Sequence, residues 1–273
     1  MLPSGKIVIR DIEPIYPSST ATGLAYTRFN EVWTKLRAFE LVEYDRVALV
    51  DSDMLVLHNM DELFGEPNVF DHASGEEWIG ASWACTCNPN RIATYPAEWV
   101  PENCGFTPQT LPTASSLSDI PQPNPDASSS PSKLINSGLV ILTPSTSTMS
   151  SMISTINSSP LIPTYRFPDQ DFLATFFSTP THRIRYLPYI YNALKTLPTV
   201  HPAIWSDSDA KNIHYILDKP WTLGRPQEKD KYAKIHAWWW KAFDNVSSTR
   251  GGKGLRIEDE DWKDCVEKYM TLE

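Results

Sequence analysis

The run Arg46-Val-Ala-Leu-Val50 is too short for a helix, is bounded by charges, and ends directly on Asp51-Ser52-Asp53. An apolar run of this length reads as a strand covered on both faces, the habit of α/β proteins. If the extended geometry continues, Asp51 and Asp53 point to one face. They also stand at a carboxyl end of the sheet, where open α/β folds take their ligands. Two like charges so placed repel unless a cation joins them, so the pair points to a divalent metal. The plainer reading is that one aspartate caps a turn and the other is solvated.

Ile7–Ile9 is a second short β-branched run. Between the two runs, Phe29, Val32, Trp33, Leu36 and Phe39 recur at helical spacing, which predicts an amphipathic helix packed on the sheet. Strand, helix, strand in succession implies an α/β fold with a mainly parallel sheet. Further along, NMDELF reads as a helical turn, Trp78–Trp83 as a strand, Leu139–Leu142 as a strand, Ser145–Asn157 and Asp169–Phe177 as helices, and Asn212–Ile216 as a strand. Tyr232–Asn245 and Glu258–Met270 read as closing helices. Asn88–Ser132 is rich in Pro, Ser, Thr and Asn and lacks apolar periodicity, which predicts an irregular surface insertion or lid.

With 273 residues, 41% of them hydrophobic, the chain can build one domain over 1–273 around a single core. A net charge of −9 argues against a nucleic-acid partner. No apolar run approaches the roughly 18 residues needed to span a bilayer, and no signal-like segment opens the chain, so a cytoplasmic protein is expected. Such a compartment favours reduced thiols. Cys85, Cys87 and Cys104 crowd into one stretch, with Cys265 far downstream. Their spacing is not that of a zinc ribbon and no fourth ligand is evident nearby, so an inert thiol cluster is favoured over structural zinc.

His214 lies in a probable strand, where a histidine is commonly a hydrogen-bonded core residue. Two carboxylates with one imidazole suit Mn²⁺ better than Ca²⁺ or Mg²⁺, so His214 beside Asp51 and Asp53 would select manganese.

The segment Phe29–Phe64, FNEVWTKLRAFELVEYDRVALVDSDMLVLHNMDELF, resembles the signature region of glycosyltransferase family 8. The resemblance continues through NSGLVILTPS at Asn136–Ser145, FPDQDFL at Phe167–Leu173, LPYIYN at Leu187–Asn192 and HYILDKPW at His214–Trp221. RDIEPIYP at Arg10–Pro17, the cysteine-rich stretch and WWWK at Trp238–Lys241 lean toward the galactinol synthase branch. The resemblance implies a single GT-A-like (Rossmann-like) domain with a mixed, mainly parallel sheet. It also implies a retaining hexosyltransferase that takes a UDP-hexose donor, with UDP-galactose or UDP-glucose as candidates, and passes the sugar to a polyol, glycan or protein hydroxyl. Mn²⁺ would be held by Asp51, Asp53 and His214. By position, Lys35 and Lys219 would contact phosphate or sugar, Ser52 would bind donor, and Asn136, Ser137, Asp169, Gln170 and Asn192 would surround the transferred sugar, with Asp169, Gln170 and Lys35 nearest the chemistry. As plainer readings, Asp169 would be a helix N-cap and Asn136 a turn former.

Two departures from the family pattern are visible. Members carry a strand and glycine-containing loop for the uridine before the block that begins at Arg10, so an N-terminally truncated sheet with an exposed edge and weak donor binding is expected here. A glycine usual between the positions of His214 and Lys219 is replaced by Leu217-Asp218. A catalytically silent relative and an unrelated metal-dependent hydrolase on Asp51 and Asp53 are the competing readings.

Overall fold

The computed structural model describes residues 8–18, 24, 27–65, 78–109, 131–178, 183–249, 268 and 270–271. Two sheets organise the molecule. The first has strand order β1-β4-β3-β5, built from β1 (Val47–Val50), β3 (Ile79–Trp83), β4 (Ile135–Leu142) and β5 (Ile184–Leu187). The second has order β2-β7-β6, built from β2 (Met54–Val56), β6 (Ala193–Leu194) and β7 (Asn212–His214). The α/β class and the mixed character of the sheets agree with the sequence reading.

The expected mainly parallel pairing does not hold among the described strands. β1 with β4, β3 with β4 and β2 with β7 are antiparallel; β3 with β5 and β6 with β7 are parallel. The strand-helix-strand inference failed because its first strand does not pair. Ile7 lies outside the described residues, and Val8 and Ile9 are 63% and 89% exposed and in no strand. β-Branched residues favour a strand only where a neighbouring strand supplies the ladder. Here side chains hold the segment instead: Arg10 pairs with Glu43, Thr34 Oγ1 accepts from the Ile15 amide at 3.1 Å, and Arg37 Nε donates to the Glu13 carbonyl at 3.0 Å. β1, expected to be covered on both faces, stands at the edge of this sheet among the described strands, with Val47, Ala48 and Leu49 partly buried and Val50 exposed.

The predicted helix over Phe29–Phe39 forms as a 3₁₀ helix, Thr27–Glu40. Three residues per turn put Trp33, Leu36 and Phe39 on one line, and all three are buried. Trp33 meets Phe172 edge-on at 5.6 Å and Phe39 stacks on Phe177 at 6.0 Å, so side-chain packing fixes this helix on the core.

The core lies along β4 and β3, where Ile135, Leu139–Leu142 and Ile79–Ala81 are buried. α1 (Glu62–Gly65), α2 (Thr146–Ser158), α3 (Pro168–Phe176) and α6 (Ala233–Thr249) fall close to their predicted places; α4 (Leu197–Val200) and α5 (Pro220–Leu223) were not foreseen. Ser145 caps α2, its hydroxyl accepting from the Thr148 amide at 3.2 Å. The helix expected over Glu258–Met270 lies almost wholly outside the described residues, as does Cys265.

The described part of the proline-rich segment, 88–109 and 131–132, is irregular apart from short 3₁₀ turns, as expected. It is not merely a surface lid: Trp99, Cys104 and Phe106 are buried, and Phe106 meets Trp83 edge-on at 6.0 Å. No helix among the described residues is long and apolar enough to cross a membrane.

Candidate active site

Asp51-Ser52-Asp53 is where the chain passes from one sheet to the other. The Asp51 amide donates to the Gly138 carbonyl at 2.8 Å, ending the β1–β4 ladder. The Asp53 carbonyl accepts from the Tyr215 amide at 2.9 Å, opening the β2–β7 ladder, in which Met54 faces His214. Ser52 and Asp53 form a turn rather than extended strand, so the same-face argument fails in its detail. The carboxylates converge nonetheless, because the two ladders deliver β4 to one side of the turn and β7 to the other.

β4 is irregular at this point. Between the pairs Ala81↔Val140 and Trp83↔Ile135, β3 advances two residues and β4 five, so Asn136, Ser137 and Gly138 bulge out of the ladder. Gly138 lies against His214: a Cβ there would come within 2.6 Å of the imidazole Nδ1 and closer still to Cε1. Only a residue without a side chain lets the ring lie flat on this backbone.

A chain of hydrogen bonds orients the imidazole. The Gly138 amide donates to Asn136 Oδ1 at 3.1 Å, which sets the Asn136 amide. Asn192 Nδ2 donates to the same oxygen at 2.8 Å, which leaves Asn192 Oδ1 facing His214 Nδ1 at 2.9 Å. An acceptor at that distance requires a proton on Nδ1. Nε2, 3.2 Å from Asp53 Oδ1 and 4.0 Å from Asp51 Oδ2, therefore presents its lone pair to carboxylates unless a proton or a metal cation lies between them. Ligand atoms of Asp51, Asp53 and His214 lie within 4.8 Å of one another. Two carboxylates and an imidazole backed by a second hydrogen bond fit a divalent cation.

Lys35 Nζ lies 3.0 Å from Asp51 Oδ1 and 2.5 Å from Asp169 Oδ2, and Ser137 Oγ donates to Asp169 at 2.6 Å. Lys219 pairs with Asp53 and donates to the Tyr215 carbonyl at 2.6 Å. Three carboxylates thus face two ammonium groups. Burial works against the charge on Lys35, but Asp169 and then Asp51 outweigh it and raise its pKa. Burial likewise opposes ionisation of Asp53, but a proton on His214 Nε2 and then Lys219 hold its carboxyl well below the usual range, as a cation in the proton's place would.

The cleft in front of these groups is lined by every residue expected of it except Ser52, which is exposed on the turn, and Asn192, which is buried behind His214. Asp169 does not cap α3. The helix begins at Pro168, and Asp171, within it, reaches back so that its Oδ2 accepts from the Arg166 and Phe167 amides at 2.9 and 3.0 Å. Burial pushes Asp171 up to about 6, against those two hydrogen bonds. Gln170 is 6% exposed, and its Nε2 has no protein partner while the residue faces the cleft.

The sequence did not reveal the rest of the wall. Asn88, Asn90, Tyr95 and Trp99 bring the proline-rich segment to the cleft, with Trp99 stacked on Phe167 at 5.2 Å. Leu217, also in the wall, has φ 63, a left-handed conformation unusual for a bulky residue. A glycine missing from its usual place was the signal for it.

No family model matches the chain. Galactinol synthase 6 of Arabidopsis thaliana is 26% identical over 245 residues, covering 88% of this chain and 66% of that protein. Galactinol synthase 2 of Solanum lycopersicum is 27% identical over 245 residues, covering 88% and 65%. The chain therefore spans just under two thirds of the length of these relatives. Among solved structures, the Streptococcus pneumoniae glycosyltransferase GlyE aligns over 80% of this chain and 48% of its own at TM-score 0.45 and 14% identity. The galactosyltransferase LgtC, solved with donor and acceptor sugar analogues, aligns over 85% and 70% at TM-score 0.44 and 16% identity.

Proposed function

We propose that this galactinol synthase-like chain is a glycosyltransferase of family 8 and transfers a hexosyl group from a UDP-hexose to a hydroxyl acceptor with retention at the anomeric carbon. The observation that carries this reading is the convergence of ligand atoms of Asp51, Asp53 and His214 to within 4.8 Å of one another, in a cleft that also holds Lys35 and Lys219. Mn²⁺ held by Asp51, Asp53 and His214 would supply positive charge against the donor diphosphate.

Lys35 and Lys219 border the same cleft and are placed to neutralise the leaving UDP as the bond from the anomeric carbon to the diphosphate breaks. Asp169, fixed between Lys35 and Ser137, sets the position of the Lys35 ammonium. Gln170 Nε2 is a buried donor without a protein acceptor, and a sugar hydroxyl satisfies it. The acceptor hydroxyl attacks from the side the diphosphate leaves, and its proton passes to the departing phosphate oxygen. Tyr95, Trp99 and Phe167 offer an apolar wall on which a sugar face or a polyol ring can rest.

The test is release of UDP from UDP-galactose and UDP-glucose with inositol, glycan or protein acceptors, with and without Mn²⁺. Metal-dependent release is expected, reduced by about 100-fold or more in Asp53→Asn, the scale of losing a preorganised electrostatic contact. Release that ignores both the metal and the substitution would sink the reading.

A further inference from the structure

We propose that Cys85, Cys87, Cys104 and His201 form a structural zinc site, separate from the carboxylate cluster, that fastens the proline-rich segment to the core. Among the described residues these four make the second group with metal-ligand geometry, one ligand atom from each lying within 4.8 Å of all the others. His201 Nε2 lies 3.1 Å from Cys87 Sγ and 3.4 Å from Cys104 Sγ. Zn–S near 2.3 Å and Zn–N near 2.0–2.1 Å place tetrahedral ligand atoms about 3.6–3.8 Å apart, so the two nitrogen–sulfur distances would have to widen by only about 0.2–0.5 Å. The three cysteines are not joined by disulfides.

The local sequence offers only three sulfurs. The fourth ligand comes from the C-cap of α4, nearly a hundred residues on, where the His201 amide donates to the Leu197 carbonyl at 2.7 Å. The surroundings suit a closed structural site. Cys87, Cys104 and His201 are buried, and Phe106 lies tilted against the imidazole at 5.6 Å. Three thiolates and an imidazole make a donor set for zinc, whereas Mn²⁺ prefers oxygen, so the two clusters sort two metals by ligand softness.

The consequence is mechanical. Cys85 ends the stretch leaving β3 and itself lines the cleft, and Cys87 immediately precedes Asn88, Pro89 and Asn90 in the cleft wall. The backbone bonds within 88–109 close local turns, as from the Arg91 amide to the Asn88 carbonyl at 3.0 Å and the Tyr95 amide to the Ile92 carbonyl at 3.1 Å, and such turns shape the segment without fastening it to the sheet. A zinc ion would join it at two points to the end of β3 and to α4.

The experiment uses the full chain, purified without chelator after growth in zinc-supplemented medium, with metal content measured by inductively coupled plasma mass spectrometry. One zinc per chain is expected in the wild type and in Asp53→Asn. A loss of affinity of about 100-fold or more is expected in Cys104→Ser and His201→Ala, with His201→Cys, which restores four donors, retaining zinc. Cobalt exchanged into the wild type should give thiolate-to-cobalt charge transfer and intense tetrahedral bands, a readout that stands even if a cysteine variant fails to fold. Removing zinc should hasten proteolysis within 88–109. The proposal is overturned by zinc-free wild type with an intramolecular disulfide or three freely reactive thiols. Zinc that leaves in Asp53→Asn but stays in Cys104→Ser, or weak octahedral cobalt bands, overturns it equally.

Discussion

Asn192 Oδ1 accepts from His214 Nδ1 at 2.9 Å, and because Asn136 fixes the Asn192 amide, this contact determines which imidazole nitrogen is free. Asn192 is fully buried and does not line the cleft, so its part is to position a ligand rather than to touch a sugar. Asn192→Leu should weaken Mn²⁺ binding about 10–100-fold, the usual range for losing such an outer partner, while Asn192→Asp keeps an acceptor and most of the affinity. Calorimetric titration with Mn²⁺ decides this. Equal affinity in the wild type and Asn192→Leu would show that the asparagine does not govern the ring.

Gly138→Ala should displace the imidazole, since the added methyl meets Nδ1 at 2.6 Å. Overpacking of this kind costs about 1–3 kcal/mol, and the larger effect should fall on Mn²⁺ affinity because the ring and not the backbone has to move. Urea denaturation and Mn²⁺ titration of the same variant separate the two. A variant with full metal affinity would mean that the ring has another place to rest.

Leu217→Gly should stabilise the protein. A bulky residue in the left-handed region costs on the order of 1–3 kcal/mol, and the extra freedom of glycine in the unfolded chain returns about 0.5–1 kcal/mol of that. A net gain of about 1 kcal/mol is expected from the midpoint of urea unfolding. A clear loss would show that the Leu217 side chain packs well enough to outweigh its backbone.

Asp171 should give the stability a pH dependence of defined sign. Its folded pKa, about 6, lies above the ordinary 3.8, so between those values the folded state holds more protons than the unfolded state. The contribution of Asp171 to stability therefore falls as pH rises through that window. The total is on the order of 3 kcal/mol, at ~1.4 kcal/mol for each tenfold change. Asp53 shifts the other way and stays ionised in both states through most of this window, so it does not mask the trend. Asp171→Asn can still accept the two amides at the start of α3, and because Glu62 and His236 are both shifted down and contribute a rise with pH, its unfolding free energy should climb more steeply than the wild type's from about pH 4 to 6. An unchanged slope in that variant would assign the trend to another group.

What the sequence made legible was what a short window can encode. β3 and β4 follow from apolar runs, α2 from its serine cap and periodic core residues, and the convergence of Asp51, Asp53 and His214 from ligand chemistry joined to a family resemblance. The 3₁₀ character of Thr27–Glu40 was hidden because Trp33, Leu36 and Phe39 fit a loose helical period almost as well as a strict period of three. Edge placement of β1 and the antiparallel pairings were hidden because a strand's composition reports burial, not which neighbour it meets. His201 could not be connected to Cys85, Cys87 and Cys104 from spacing, since the fold closes that gap over nearly a hundred residues. The cap reading of Asp169 failed because α3 begins one residue earlier, at Pro168, which leaves Asp169 inside the first turn with its side chain turned to Lys35 and Ser137.

The turn at Asp51–Asp53 joins two sheets whose registers are set independently, one by β4 and the other by β7. A slip of one residue in either ladder would turn a ligand to the opposite face. Ion binding at this point therefore samples both ladders at once: any conformer in which either has slipped is unable to hold the cation, and mass action withdraws molecules from those conformers toward the aligned one. The donor's metal would thus act as a proofreader of strand alignment before it takes part in any transfer of sugar.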